Sequence, residues 1–278
     1  LFRSNVDVRY DFDLNGRMVD ITGASNRSNN TIVLHIIDGT HQELIPAHAR
    51  EIVSGVDEVY GFCLYRSRES GQVYAFVNGK DGQIEQWELY PDMNDKIDAE
   101  LVRTLTVESQ PEGMVADDET GILYVGEENR GVWKFQAEPG AGDEKAFISM
   151  SGEDNPEIKY DVEGISLLYL PEGKGYLLVS SQGNNSFAVF KRNGNNEYIT
   201  RFSVEENDLI DGVEETDGID ITHYGLNEDF PAGFFVVQDG FNFEGDTLSS
   251  QNFKLIDTRK VAYLIDPDME IYPRYRVW

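Results

Sequence analysis

A repeat of about fifty residues runs along this chain of 278 residues, and each copy opens on a residue followed by Gly and a short apolar run. Four openings, spaced 52, 51 and 54 residues apart, are Tyr60-Gly61, Glu112-Gly113, Glu163-Gly164 and Asp217-Gly218. A weaker copy opens near Asp7. A period of this size built from short strands is typical of a β-propeller. We therefore predict an all-β chain in which five blades are recognisable.

A second position recurs in the same copies, at the polar tip that ends the second apolar run. These tips are spaced 53, 48, 54 and 57 residues apart, and they are Arg27, Lys80, Glu128, Gln182 and Asp239. Equivalent positions of all blades meet around the central channel of a propeller. The repeat therefore predicts that residues far apart in sequence form one ring, and that the chemistry lies there.

The apolar runs are rich in aromatic and β-branched residues, and Gly, Asn, Asp and Pro separate them, which indicates short strands joined by turns. Three copies predict complete four-stranded blades. Their strands are 60–65, 72–77, 83–89 and 101–107, then 112–116, 122–126, 132–136 and 145–150, then 164–170, 175–180, 186–191 and 198–204. Further strands are expected at 252–257 and 261–265, and a helical turn at 207–213. Hairpin turns are expected at Asn15-Gly16, Asp81-Gly82 and Asn193-Gly194.

The charge balance limits the partners of this chain. Acidic residues outnumber basic ones by 51 to 23, which gives a formal net charge of −28. Nucleic acids and anionic membranes are bound by positive surfaces, so the balance argues against both. It fits a protein that binds cations, although a surface adapted for solubility would also be rich in acids. The single cysteine, Cys63, excludes an internal disulfide.

Acidic residues concentrate at the openings and tips of three consecutive copies. By repeat position, six carboxylates converge on one mouth: Glu112, Glu128, Asp161, Glu163, Asp211 and Asp217. Asp161 stands two residues before Glu163, so both point to the same side of a strand. Six such groups cannot all be ionised without a counter-charge. Calcium, which takes six to eight oxygen ligands, suits a site built from several blades. The alternative is that each acid caps a turn or lies in water by itself.

The neighbouring copies carry the opposite charge at the same positions. Arg27 and Lys80 occupy the tip that Glu128 holds in its own copy, and Tyr60 occupies the opening position of Glu112. Arg binds phosphate through a two-pronged fork and Lys as a point charge. A basic sector beside bound cations predicts a polyanion site. The alternative is that the two cations only offset nearby acids.

Other phosphatase chemistries lack their motifs. A cysteine phosphatase needs Arg six positions after its nucleophile, where Cys63 is followed by Glu69. The four His residues show no Arg-His-Gly motif, and the sequence has no Gly-x-Ser-x-Gly elbow or Walker phosphate loop.

Seven segments closely resemble the β-propeller phytases, in the order of that family, from about Asn5 to Lys254. They are Val59-Tyr60-Gly61-Phe62, Glu112-Gly113-Met114-Val115-Ala116-Asp117-Asp118-Glu119, Trp133-Lys134-Phe135, Asp161-Val162-Glu163-Gly164, Ser180-Ser181-Gln182-Gly183-Asn184-Asn185-Ser186, Thr216-Asp217-Gly218-Ile219-Asp220 and Gln251-Asn252-Phe253-Lys254. The resemblance implies a six-bladed propeller that hydrolyses phytate, inositol hexakisphosphate, with calcium. It also implies direct attack on phosphorus by metal-activated water while an adjacent site holds a second phosphate, and a secreted protein.

The resemblance assigns roles residue by residue. The calcium ligands it implies are Glu112, Glu128, Asp161, Glu163, Asp211 and Asp217. The phosphate contacts it implies are Arg27, Tyr60, Lys80 and Gln182, with Asp81 beside Lys80 where we expect Glu in the family. Catalysis is accordingly expected of Arg27, Tyr60, Lys80 and Glu163.

The absence of the family's first blade leaves two functions open. The first blade of the family precedes the point that Leu1 matches, so we expect one propeller domain over 1–278 without that blade, and the tail after Lys254 matches poorly. The first function is a phytase, weak as an isolated domain. The second is a non-catalytic propeller that binds calcium and phytate and assists an adjoining phytase domain. Self-association or that domain would cover exposed strand edges. A calcium-dependent lactonase would not need the basic sector.

Overall fold

The computed structural model describes residues 5–207, 210–244 and 247–271, and these are almost entirely strands and turns. The strands form successive antiparallel sheets that are the five blades of a β-propeller, as the repeat predicts. In each of the four larger blades, four strands that are consecutive in the chain pair in order, so each of these blades is a meander. No helix in the described residues has the length and apolar character needed to cross a membrane.

The first two sheets contain nine strands. The first sheet comprises β1 Val6–Leu14, β2 Arg17–Asn26, β3 Thr31–Asp38, β4 Glu43–Pro46 and the short β5 Ile52–Val53, which pairs with β3. The second comprises β6 Val59–Arg66, β7 Val73–Gly79, β8 Gln83–Pro91 and β9 Ile97–Thr106. All seven residues of β7 are buried, which explains its continuous apolar run.

The remaining sheets follow in chain order. The third comprises β10 Pro111–Asp117, β11 Ile122–Glu127, β12 Gly131–Gln136 and β13 Lys145–Phe147, and the fourth β14 Val162–Tyr169, β15 Gly175–Ser181, β16 Ser186–Lys191 and β17 Tyr198–Phe202. The fifth is smaller and comprises β18 Ile219–Ile221, β19 Phe234–Asp239 and β22 Asn252–Asp257. A separate ribbon joins β20 Phe243–Glu244 to β21 Thr247–Leu248.

The chain divides into two compact units, each with its own apolar cluster. The first unit comprises Leu1–Val125 and Lys134–Ala146, and its core includes Phe62, Leu64 and Trp87. The second comprises Gly126–Trp133 and Phe147–Trp278, and Phe187 and Phe235 pack edge to face in its core, with ring centroids 5.1 Å apart. Whether 1–278 acts as a single domain without a family blade stays a prediction.

The Gly that follows an opening residue has a steric reason. The first strands of the second and fourth blades shift register just after their openings, between Val59 and Phe62 and between Val162 and Ile165. A Cβ on Gly61 would lie 1.9 Å from the Glu112 carbonyl oxygen, and one on Gly164 would lie 2.6 Å from the Asp217 carbonyl oxygen. At these two openings Gly is required because the backbone of the next copy passes directly against it, whereas a Cβ on Gly218 would have no atom within 4 Å.

The hairpin predicted at Asn15-Gly16 is confirmed. Leu14 pairs with Arg17, and the two turn residues have φ of 55° and 86°, as a two-residue hairpin of type I′ requires. The predicted strand 252–257 coincides with β22.

Two predictions near the end of the chain are wrong, and a third falls short. The segment 261–265 lies within a helix, α1 Thr258–Ile265, rather than in a strand. Asp257 caps this helix by accepting a hydrogen bond from the Arg259 amide (2.9 Å), and Val261, Ala262 and Ile265 are buried at helical spacing. The helical turn at 207–213 is absent from 207 and 210–213, and its other two residues lie outside the described part of the chain. Strand β13 ends at Phe147, three residues earlier than predicted.

Candidate active site

The opening residues occupy one position of the fold. Tyr60, Glu112 and Glu163 are each the second residue of the first strand of a blade, in β6, β10 and β14. Asp217 stands two residues before β18. The repeat observed in the sequence is therefore a repeat of backbone position.

The tip residues are equally regular. Arg27, Lys80, Glu128 and Gln182 each follow directly after the last residue of the second strand of a blade, in β2, β7, β11 and β15. Asp239 departs by one position, since it is the last residue of β19.

The three basic and phenolic residues form a cluster in the first unit. The Arg27 guanidinium lies 4.7 Å from the centre of the Tyr60 ring, and the Lys80 ammonium lies 5.3 Å from it. Both cations are thus within the range of a cation–π contact with one ring. The structure brings together Arg27, Tyr60 and Lys80, which the sequence analysis assigned to one site.

Glu58 belongs to this cluster, and the sequence analysis missed it. Its Oε1 lies 2.8 Å from the Lys80 Nζ and also pairs with the Arg27 Nη2. Hydrogen bonds from Lys80, which has the larger effect, and from Arg27 hold the pKa of the Glu58 carboxyl below its usual range. The repeat could have identified Glu58, because it stands two residues before Tyr60 just as Asp161 stands two residues before Glu163.

Asp81, which follows Lys80 and is expected among the substrate contacts, is exposed and caps its own turn. Its carboxylate accepts hydrogen bonds from the Gln83 amide (3.2 Å) and the Gln83 Nε2 (2.6 Å). A substrate contact for Asp81 stays a prediction.

Glu112 is a buried opening residue of the first unit. Its carbonyl oxygen accepts a hydrogen bond from the Asn78 Nδ2 (2.9 Å), while the Asn78 Oδ1 accepts one from the Gly61 amide (2.7 Å). The fully buried Asn78 side chain therefore joins the openings of β6 and β10. After Glu58, Asn78 is the second residue that the sequence analysis missed. It positions the two openings, and no motif in the sequence singles it out.

In the second unit, Glu163 and Asp217 contribute to a carboxylate cluster that could hold a metal ion. Ligand oxygens of these two residues lie within 4.8 Å of each other. Glu163 is 5% exposed, and no hydrogen-bond partner reaches its Oε2. Burial, and then the negative charge of Asp217, raise the pKa of Glu163 to about 8.

This pair fits a hard cation. The available ligands are carboxylate oxygens, which calcium prefers. One of them, the buried Glu163 Oε2, accepts no hydrogen bond. A divalent ion would also supply the positive charge that two adjacent carboxylates need to ionise together.

Three further predicted residues lie around the start of β14. The Val162 amide donates to the Glu128 carbonyl oxygen (3.0 Å), and the Gln182 amide donates to the Asp161 carbonyl oxygen (2.9 Å). Backbone hydrogen bonds therefore join the tip of β11 to Val162 and the tip of β15 to Asp161. Glu128 is buried, and Asp161 and Gln182 are half-buried.

Asp211 contacts a different group. Its Oδ1 pairs with the Lys254 Nζ, and its Oδ2 accepts a hydrogen bond from the Phe243 amide (2.7 Å). The hydrogen bond from Lys254 is the main reason that the pKa of the Asp211 carboxyl lies below its usual range. The same Lys254 Nζ lies 3.0 Å from the Oδ2 of the buried Asp239. The role of Asp211 as a calcium ligand stays a prediction.

Comparisons with known proteins point to one family. The family model described as phytase matches residues 3–275, so the match extends well past Lys254. The chain is 43% identical over 279 aligned residues to the 3-phytase of Bacillus subtilis (strain 168). That alignment covers 98% of this chain and 72% of the relative. A solved structure of a functionally unknown protein from Desulfotomaculum acetoxidans is 18% identical, with a TM-score of 0.47. That alignment covers 72% of this chain and 58% of the other.

Proposed function

This chain belongs to the phytase family of hydrolases, and from that premise we propose that it is a calcium-dependent phosphomonoesterase that removes phosphate from phytate. One observation carries the proposal. Glu163 and Tyr60 occupy the same position in two different blades. Glu163 is a buried carboxyl there, whereas Tyr60 lies against two cations. Calcium-dependent hydrolysis of a polyphosphate needs carboxylates that hold the metal and cations that hold phosphate, and the chain supplies both.

The cation side of this proposal rests on the carboxylates. Glu163 and Asp217 would hold calcium, repeat position adds Glu112, Glu128 and Asp161, and the family resemblance adds Asp211. A bound calcium ion would neutralise phosphate charge and make water a better nucleophile. The raised pKa of Glu163 supports this role, because a proton held there leaves when a cation binds.

The anion side rests on the basic cluster. Arg27 offers a planar fork to two phosphate oxygens, and Lys80, which also lies against the Tyr60 ring, adds a point charge. The two would fix one phosphate and orient the substrate, and Gln182 is the further polar contact. Because the relative is a 3-phytase, we propose the same positional type for this chain.

The decisive test is phosphate release from phytate by this chain, measured with calcium and again with a chelator. We expect release with calcium only, and its loss in Glu163→Gln, which keeps the shape of the side chain and removes its charge. Phytate binding without release at any calcium concentration would instead support the alternative, a non-catalytic propeller that assists an adjoining phytase domain.

Location and assembly remain proposals. Secretion rests on the family resemblance. Association with a second copy or with a phytase domain rests on the small fifth sheet, in which β22 pairs with β19 and forms an edge among the described residues. Sedimentation of the purified chain would test self-association.

A further inference from the structure

The carboxylate of Glu58 stands where an anionic ligand of the basic cluster would bind. One of its oxygens contacts both cations, at 2.8 Å from the Lys80 Nζ and within hydrogen-bonding distance of the Arg27 Nη2. A phosphate oxygen would seek the same two donors. Glu58 therefore makes the contacts that a substrate phosphate would make.

The backbone presents Glu58 in this place. Its φ is 53°, in the left-handed region that residues other than Gly rarely adopt. The flanking residues fix that conformation: the Lys80 amide donates to the Asp57 carbonyl oxygen (2.9 Å), and the Val59 amide donates to the Asn30 Oδ1 (2.7 Å). The loop is thus tied to the same strand end that carries Lys80.

The Glu58 side chain, in contrast to its backbone, is accessible enough to be displaced from the two cations. The Glu58 side chain is 45% exposed, compared with 22% for Arg27 and 33% for Lys80. Ion pairs this accessible to water contribute little to stability, so an anion with more charge can replace the carboxylate. A phosphate monoester carries up to two negative charges and three acceptor oxygens, against one charge on Glu58.

We propose that Glu58 is a displaceable internal anion: its carboxylate occupies the Arg27–Lys80 site in the free protein, and a substrate phosphate must replace it. Glu58 would thereby disfavour monoanions, which gain no charge over the carboxylate that they displace, and would retain dianionic phosphate groups. This proposal rests on the proposed function of the site.

The test is the affinity of the chain for inorganic phosphate, measured by titration calorimetry in calcium-free buffer. Glu58→Gln removes the competing charge and keeps the side-chain length, so the dissociation constant should fall about three- to tenfold. Glu51→Gln is the matched control, because Glu51 is exposed and accepts a hydrogen bond from Asn29. It changes the net charge equally and should leave the dissociation constant unchanged. Melting temperatures report whether each variant folds.

The outcomes separate the two proposals. An unchanged or weaker phosphate affinity in Glu58→Gln, with binding that Arg27→Ala removes, would overturn the role of Glu58 and leave the proposed function standing. Tighter phosphate binding in Glu58→Gln by a chain that never hydrolyses phytate would overturn the proposed function alone. If neither the parent nor Glu58→Gln binds phosphate, the role of Glu58 is overturned, and phosphate release from phytate with calcium still decides the proposed function.

Discussion

Tyr60 and Glu163 hold the same place in their blades but have opposite surroundings. Two cations lie against the Tyr60 ring, whereas Glu163 is buried beside Asp217 with one oxygen lacking a hydrogen-bond partner. Burial penalises the ionised form of a carboxyl, and a neighbouring carboxylate penalises it further. At the scale of the residue, the side chains around a position determine its chemistry.

Arg27→Ala should impair phytate hydrolysis more than hydrolysis of a small monophosphate ester. Only a polyphosphate has a second group for the guanidinium to hold. A charge-assisted hydrogen bond of this kind is worth about 1.5–3 kcal/mol, so kcat/KM for phytate should fall about tenfold or more. Arg50→Ala is the control, since Arg50 is an exposed arginine paired with Asp98. Equal losses on both substrates would contradict a substrate-holding role.

The buried carboxyl of Glu163 predicts how stability without calcium depends on pH. Its pKa is about 8 in the folded chain and near 4.5 when unfolded, so the folded state retains a proton that the unfolded state loses. Stability should therefore decrease as the pH rises from about 4.5 to about 8.

Thermal melting in chelator across that range is the measurement. The parent should lose melting temperature towards pH 8, whereas Glu163→Gln, which cannot ionise, should lose less. Parallel curves for the two proteins would show that Glu163 is not the group responsible.

At the scale of the element, the backbone of the next copy constrains the first strands of the second and fourth blades. The Gly164 amide donates to the Asp217 carbonyl oxygen (3.2 Å), so the bulge in β14 also positions Asp217. A short, irregular stretch of strand thus supports two of the carboxylates.

Gly164→Ala should therefore affect both stability and activity. Its Cβ would lie 2.6 Å from the Asp217 carbonyl oxygen, and steric overlap of this kind costs about 1–3 kcal/mol of stability. Displacement of Asp217 should also raise the calcium concentration needed for activity. Gly39→Ala is the control, because a Cβ on Gly39 would have no atom within 4 Å. Equal melting temperatures and calcium requirements for the two variants would rule out this role for Gly164.

The molecule as a whole carries a net charge of −28, which opposes its own compaction. A ligand that binds the folded state adds stability by mass action, and a divalent cation at the carboxylate pair would also reduce this repulsion.

Millimolar calcium should therefore raise the melting temperature relative to chelator. The same concentration of magnesium is the control for screening, because magnesium demands a stricter octahedral geometry and should stabilise less. If the two ions have equal effects, the stabilisation is screening and not a site.

The sequence by itself determined the blades and the repeat positions of the site. Strand β16 coincides with its predicted bounds, and Tyr60, Glu112 and Glu163 fall on one backbone position as their spacing predicts. Apolar runs and turn residues are local signals, and a repeat copies one local pattern along the chain. The strand wrongly predicted at 261–265 also had a local signal for a helix, the cap at Asp257.

Only the tertiary structure decided which side chains meet. Spacing places Lys80 and Arg27 at equivalent tips, but it does not reveal that a Glu58 oxygen lies between them, or that Asp211 pairs with Lys254, 43 residues away. Such contacts depend on the conformation of turns and on rotamers that packing selects, and a period in the sequence carries no information on either. For this reason the repeat positions of the candidate residues are visible in the sequence, whereas the counter-charges that set their chemistry appear only in the fold.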